Sequence, residues 1–191
     1  MLVTNRVTVY FESSLRELAA TNSKMKYLNV QVQGLSGTPH PALLNIHNMQ
    51  EVNKLRHHIK FLSGDYLTAE RLATDTGSNP QCKLCLAPVE STVHVLTQCR
   101  ATADIHGRLL PELLNTVLLV QPNCSILNTP LDLQYLTQFI LDCTSLNLPA
   151  TYRIAAHNPH VSHIFGVSRN WCYGISRARA RLLLKLKKTR T

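Results

Sequence analysis

The segment 82–99 reads CKLCLAPVESTVHVLTQC, which spaces its polar ligands as Cys82-x2-Cys85-x8-His94-x4-Cys99. Four side chains that converge on one point would restrict the path of a chain more than any run of apolar residues, so the first question is whether these four do so. A tight x2 turn can present both thiolates to the same ion, which is the usual first half of a tetrahedral zinc site. The second half must return across the ion. LAPVEST contains a proline turn that can reverse the chain, and Ser91 or Thr92 can cap a short helix, STVHVLTQC, that carries His94. Cys99 then follows at a spacing found in structural zinc sites.

Three other readings compete. The cysteines can form disulfides, act as a redox pair, or fill a core as small hydrophobes. The chain opens MLVTNRVTVYFESSLREL, without a basic start leading into a long apolar stretch, and no run approaches the roughly 20 apolar residues that span a bilayer. An intracellular protein, nuclear or cytoplasmic and not secreted, is the expectation, and glutathione there keeps thiols reduced. A redox Cys-x2-Cys calls for a thioredoxin-like alternation of strands and helices, which the pattern lacks. Four ligands leave no open coordination position. One structural zinc on Cys82, Cys85, His94 and Cys99 is therefore expected, and Cys124, Cys143 and Cys172, scattered singly, are read as structural.

Apolar spacing elsewhere is mostly helical. One helix is expected within 13–33, ending near Gly34; only LVTNRVTVYF at the start resembles a strand. NMQEVNKLRHHIKFLSG carries Val52, Leu55, Ile59 and Leu62 at steps of three or four, with Asn48 as N-cap and Gly64 as stop. Thr68 should cap a short helix after it. RATADIHGRLL and PELLNTVLLV read as two pieces, because Pro111 suits a first turn and not a helix interior. A further helix follows Pro130. The last runs from about Val161 to Lys188 with a buried stripe through Ile164, Val167, Trp171, Ile175, Ala178 and Leu182, weakened by Gly166 and Gly174. The fold class is thus mainly α: an irregular helical domain with a small CCHC module and a C-terminal basic helix. Residues 1–47 form an N-terminal extension with one helix, 48–120 the helices flanking the module at 81–99, and 121–191 a helical C-terminal region.

The formal charge of +9 is placed unevenly. Met1 to Asp142 holds 11 Lys/Arg and 11 Asp/Glu, whereas Cys143 to Thr191 holds 9 Lys/Arg and no acid. Arg177, Arg181, Lys185 and Lys188 recur at helical steps and make a cationic ridge, which Arg179, Lys187 and Arg190 broaden. Such a ridge fits phosphates without reading sequence. A solvated tail and a membrane-surface helix are the competing readings, LLLKLKK being basic and amphipathic. Trp171 is read as core and not as a base-stacking platform. His57 and His58 are read as surface residues, and His157, His160 and His163 as an adventitious series.

The run FLSGDYLTAERLATDTGSNPQCKLCLAPVESTVHVLTQC resembles the zinc-binding segment near the C-terminus of LINE-type (non-LTR) retrotransposon reverse transcriptases. The matching residues are Leu62, Ser63, Gly64, Arg71, Leu72, Cys82, Cys85, Glu90, Ser91, His94, Leu96 and Cys99, and the likeness continues more loosely to both sides. The resemblance implies a piece of a reverse-transcriptase polyprotein, with that polymerase domain as a partner, that helps hold template RNA or target DNA. The x8 gap separates it from retroviral nucleocapsid knuckles. No Tyr/Phe-x-Asp-Asp step of a polymerase palm occurs and the acids form no metal-binding pair, so a non-catalytic chain is expected. The alternatives are a zinc-stabilised module that docks its basic helix on an acidic protein, or a non-functional relic of a retroelement.

Overall fold

The computed structural model describes residues 46–120, 132–145 and 159–189, together with 41–43, Glu17 and Tyr27. The strand-like start, most of the expected N-terminal helix, Cys124, His157 and Arg190 lie outside the described residues. Among those described, the architecture is mainly helical and contains no strand: α1 (Met49–Leu62), α2 (Ala69–Thr76), a π-helical segment (His94–Gln98), α3 (Ala103–Val120), α4 (Leu133–Asp142) and α5 (Pro159–Lys188).

Capping sets the boundaries. The Asn48 side chain accepts the N–H of Glu51 at 3.0 Å, and α1 stops where Gly64 turns left-handed at φ 68°. Thr68 caps α2 by accepting the Arg71 N–H, and Gly77, also at φ 68°, ends it. Asp132 accepts the N–H groups of Gln134 and Tyr135 at the start of α4.

The expected break at Pro111 is absent: α3 continues through it from Ala103 to Val120. Ile105, Leu109, Leu113 and Val117 are all buried and lie at steps of four along one stripe. Burial of four such side chains, at roughly 1.5–3 kcal/mol each, outweighs the ~3 kcal/mol of an interior proline. Pro111 and Gly107, whose carbonyl it leaves without a donor, both lie on exposed positions, where water can supply the lost bond.

Helix α5 is the central element. It packs against α1, α3 and α4, and Ile164, Phe165, Trp171 and Ile175 meet Phe61, Leu113, Phe139 and Ile140 in one core. Gly166 and Gly174 do not interrupt it. A Cβ at Gly174 would stand 3.4 Å from the Ile105 side chain, in ordinary van der Waals contact, so α3 and α5 lie close together at this point. Trp171 is a core residue, as expected, and Cys143 and Cys172 are buried free thiols.

The two adjacent histidines of α1 depart from the surface reading. His58 is fully buried, with Nε2 2.7 Å from the Leu141 carbonyl of α4, and His57 packs edge-on against Tyr173 of α5 at 5.4 Å between ring centroids. A buried imidazole that finds a backbone partner costs little, and nothing in the local pattern announces that partner 83 residues away. His163 is exposed.

Candidate metal centre

The chain between α2 and α3 is short of regular structure and rich in specific turns. Cys82 N–H donates to the Ala87 carbonyl and Leu86 N–H to the Cys82 carbonyl, each at 2.9 Å, so the x2 loop closes on itself. Leu86 sits at φ 63°, a left-handed conformation that carries a penalty of about 1–2 kcal/mol for a residue with a Cβ. The paired bonds on either side hold it there. Glu90 N–H donating to the Pro80 carbonyl at 2.8 Å then fixes the returning strand of the loop.

Ser91 accepts the His94 N–H at 3.1 Å and starts the turn that follows. That turn widens into a π-helix over His94–Gln98, closed by the Cys99 N–H donating to the His94 carbonyl at 2.8 Å. In an α-helix, side chains five residues apart diverge by roughly 140°. Closing the turn at i→i+5 instead brings the fifth residue back above the first. The x4 gap between His94 and Cys99 is here spanned by one π turn.

All four ligand atoms lie within 4.8 Å of one another. Cys85 Sγ is 3.3 Å from His94 Nε2, and Cys82 Sγ is 4.0 Å from Cys99 Sγ. A tetrahedron with metal–sulfur bonds of ~2.3 Å and metal–nitrogen bonds of ~2.0 Å has edges of about 3.5–3.8 Å, so the cluster fits a tetrahedral ion. Cys82, His94 and Cys99 are buried and Cys85 half-buried. Burial drives the Cys82 thiol up to about 12, helped by the nearby Glu90 carboxylate, and raises Cys99 as well. At Cys85 burial also opposes ionisation, but the N–H of Ala87 and the neighbouring thiols outweigh it, leaving this thiol below its ordinary value. His94 is pushed down by burial and so stands ready as a neutral ligand. The arrangement can hold a metal ion.

Helix α5 grips this module at two points. Trp171 Nε1–H donates to the Leu96 carbonyl at 2.9 Å, satisfying a group within the π turn. Arg179 forms a two-pronged pair with Glu90, Nη1 to Oε2 at 3.0 Å and Nη2 to Oε1 at 2.8 Å, with both side chains buried. Glu90 Oε1 also accepts the Ala69 N–H at 2.9 Å, so one carboxylate ties the loop to α5 and to the first turn of α2.

This corrects the reading of Arg179 as a nucleic-acid contact. Arg179 is 4% exposed and its charge is consumed internally. It continues the step of four from Trp171 and Ile175 along the buried face, which is the signal in the sequence that separates it from the ridge. Arg177, Arg181, Lys185, Lys187 and Lys188 are exposed on α5. The role of Glu90 was missed, since an acid in a loop carries no pattern that names a partner 89 residues on.

The fold and site together define a helical domain with a Cys3His cluster that can hold a metal ion. No family model, curated protein or solved structure matches the chain. No helix among the described residues is long and apolar enough to cross a membrane.

Proposed function

We propose that this chain is a non-catalytic, zinc-stapled module that holds RNA or DNA on the exposed face of α5, in the manner of the C-terminal region of a LINE-type reverse transcriptase. The observation that carries the reading is a division among the cations. Arg71, Arg169 and Arg179 are bonded to acids, whereas Arg177 and Arg181 form no ion pair among the described residues and stand exposed with Lys185 one turn on. Successive turns place these charges ~6 Å apart along the axis, a spacing suited to a phosphate backbone. Zinc is the metal favoured by three thiolates and one imidazole in a closed tetrahedron.

A second reading is a protein-interaction module. Leu67, Leu72, Leu86 and Val89 are exposed around the metal loop, which favours an apolar contact there. One set of measurements separates the two. Purified protein should carry one zinc per chain, and Cys85→Ser should lose it together with the fold of the loop. Titration of labelled nucleic acid should show affinity that falls steeply with salt and drops in Arg181→Glu. Binding indifferent to salt and to that substitution would overturn the nucleic-acid reading in favour of the protein partner.

A further inference from the structure

Helices α3 and α5 do not close completely where Gly174 faces Ile105. Beside the contact runs an open groove of about 520 Å³ whose walls include Arg108 from α3 and Asn170, Tyr173, Arg177 and Arg181 from α5. That volume is in the range that takes a nucleotide-sized ligand. Ile105 and Leu109 supply apolar wall, and Asp104, at the N-terminal end of α3, is the one acid in the lining. Three cations against one carboxylate leave the groove positive.

Arg108 lies outside the ridge legible in α5, and it too forms no ion pair among the described residues. Arg177 stacks over the Tyr173 ring at 5.8 Å, so the guanidinium and the aromatic already share one face. His57 of α1 packs against Tyr173, and exposed Arg56 and Lys60 line a shallow depression with it. Burial first, and then repulsion from Lys60, Arg56 and Arg177, pushes the His57 imidazole below its ordinary value, as expected where several positive charges converge.

We infer that this groove is a seat for a single-stranded nucleic-acid segment: Arg108, Arg177 and Arg181 take its phosphates, one base enters against Tyr173, and the Asn170 amide meets that base's edge. The inference rests on the nucleic-acid reading and adds to it a strand form and a site. A duplex keeps its bases stacked inside and can meet only the outer ridge of α5. A single strand can splay a base into an open groove that offers an aromatic ring, apolar walls and a side-chain amide.

Fluorescence anisotropy on the zinc-loaded full chain, with a short labelled single strand and the matching duplex, tests it. Arg108→Glu and Asn170→Ala should weaken single-strand binding by about tenfold and leave duplex binding much less affected. Lys185→Glu, outside the groove, should weaken both alike. Arg108 is on an exposed position and Asn170 half-buried, and circular dichroism of each variant checks that the helices persist. As a second readout, a single strand carrying iodouridine should crosslink within the α5 segment that bears Tyr173. Crosslinks confined to 185–188, or equal losses for single strand and duplex in Arg108→Glu, would overturn the groove while leaving the ridge in place. Absence of any binding by the unaltered chain would overturn both.

Discussion

At the scale of single residues, the most consequential pair is Glu90 and Arg179. Both are buried and joined by two hydrogen bonds, and Glu90 also accepts the first N–H of α2. Taking two charges out of water costs about as much as their attraction returns, so the pair adds little as a unit. Removing one partner is different, because it strands the other. Arg179→Met should therefore destabilise by about 3–5 kcal/mol, and Glu90→Gln by a similar or smaller amount, since glutamine can still accept from Ala69. The double variant Glu90→Gln/Arg179→Met should be more stable than Arg179→Met alone. Urea unfolding of the four species closes the cycle. Additive losses would show that the two residues act independently and would refute the tie.

At the scale of elements, α3 shows where pattern reading succeeds and where it fails. The stripe Ile105, Leu109, Leu113, Val117 is legible, and so are the caps Asn48 and Thr68 and the ligand spacing of the loop, because each is written within one or two turns of chain. Whether the stripe outweighs Pro111 depends on α5, which lies 39 residues beyond the helix end and covers that face. The same holds for His58 and Arg179, whose partners sit in another helix and in the metal loop. The π turn was out of reach for another reason: the x4 spacing admits several backbones, and only the closure of the ligand set selects one. If tertiary burial is what carries α3 through Pro111, restoring the missing donor should help. Pro111→Ala should raise stability by roughly 1–2 kcal/mol, the helical gain being partly offset by a freer unfolded chain. A thermal midpoint that is unchanged or lower would show that the proline is accommodated without cost.

At the scale of the whole molecule, one core joins the helices on both sides of the metal loop, and histidines stand at the joints. His57 meets Tyr173, and His106 stacks on Trp171 at 5.9 Å between centroids. Burial lowers both pKa values from 6.5; at His57 the nearby cations add to it, and at His106 Asp104 opposes it. The sign follows directly. Between their folded values and 6.5 the unfolded chain binds protons that the folded chain refuses, so stability rises with pH across that interval and is lost as pH falls through it. The urea midpoint should thus be nearly level above neutrality and decline on acidification below about pH 6.5, with an unchanged m-value. His94 is lowered too, and protons compete with the metal for it, so metal content must be followed in parallel. His106→Gln isolates one contribution: it removes the Trp171 joint's titration and leaves His57 and all four ligands in place, so its midpoint should fall less steeply with acid than that of the unaltered chain. An equal decline in both proteins would place the acid sensitivity at His57 or the metal ligands and not at the joint between α3 and α5.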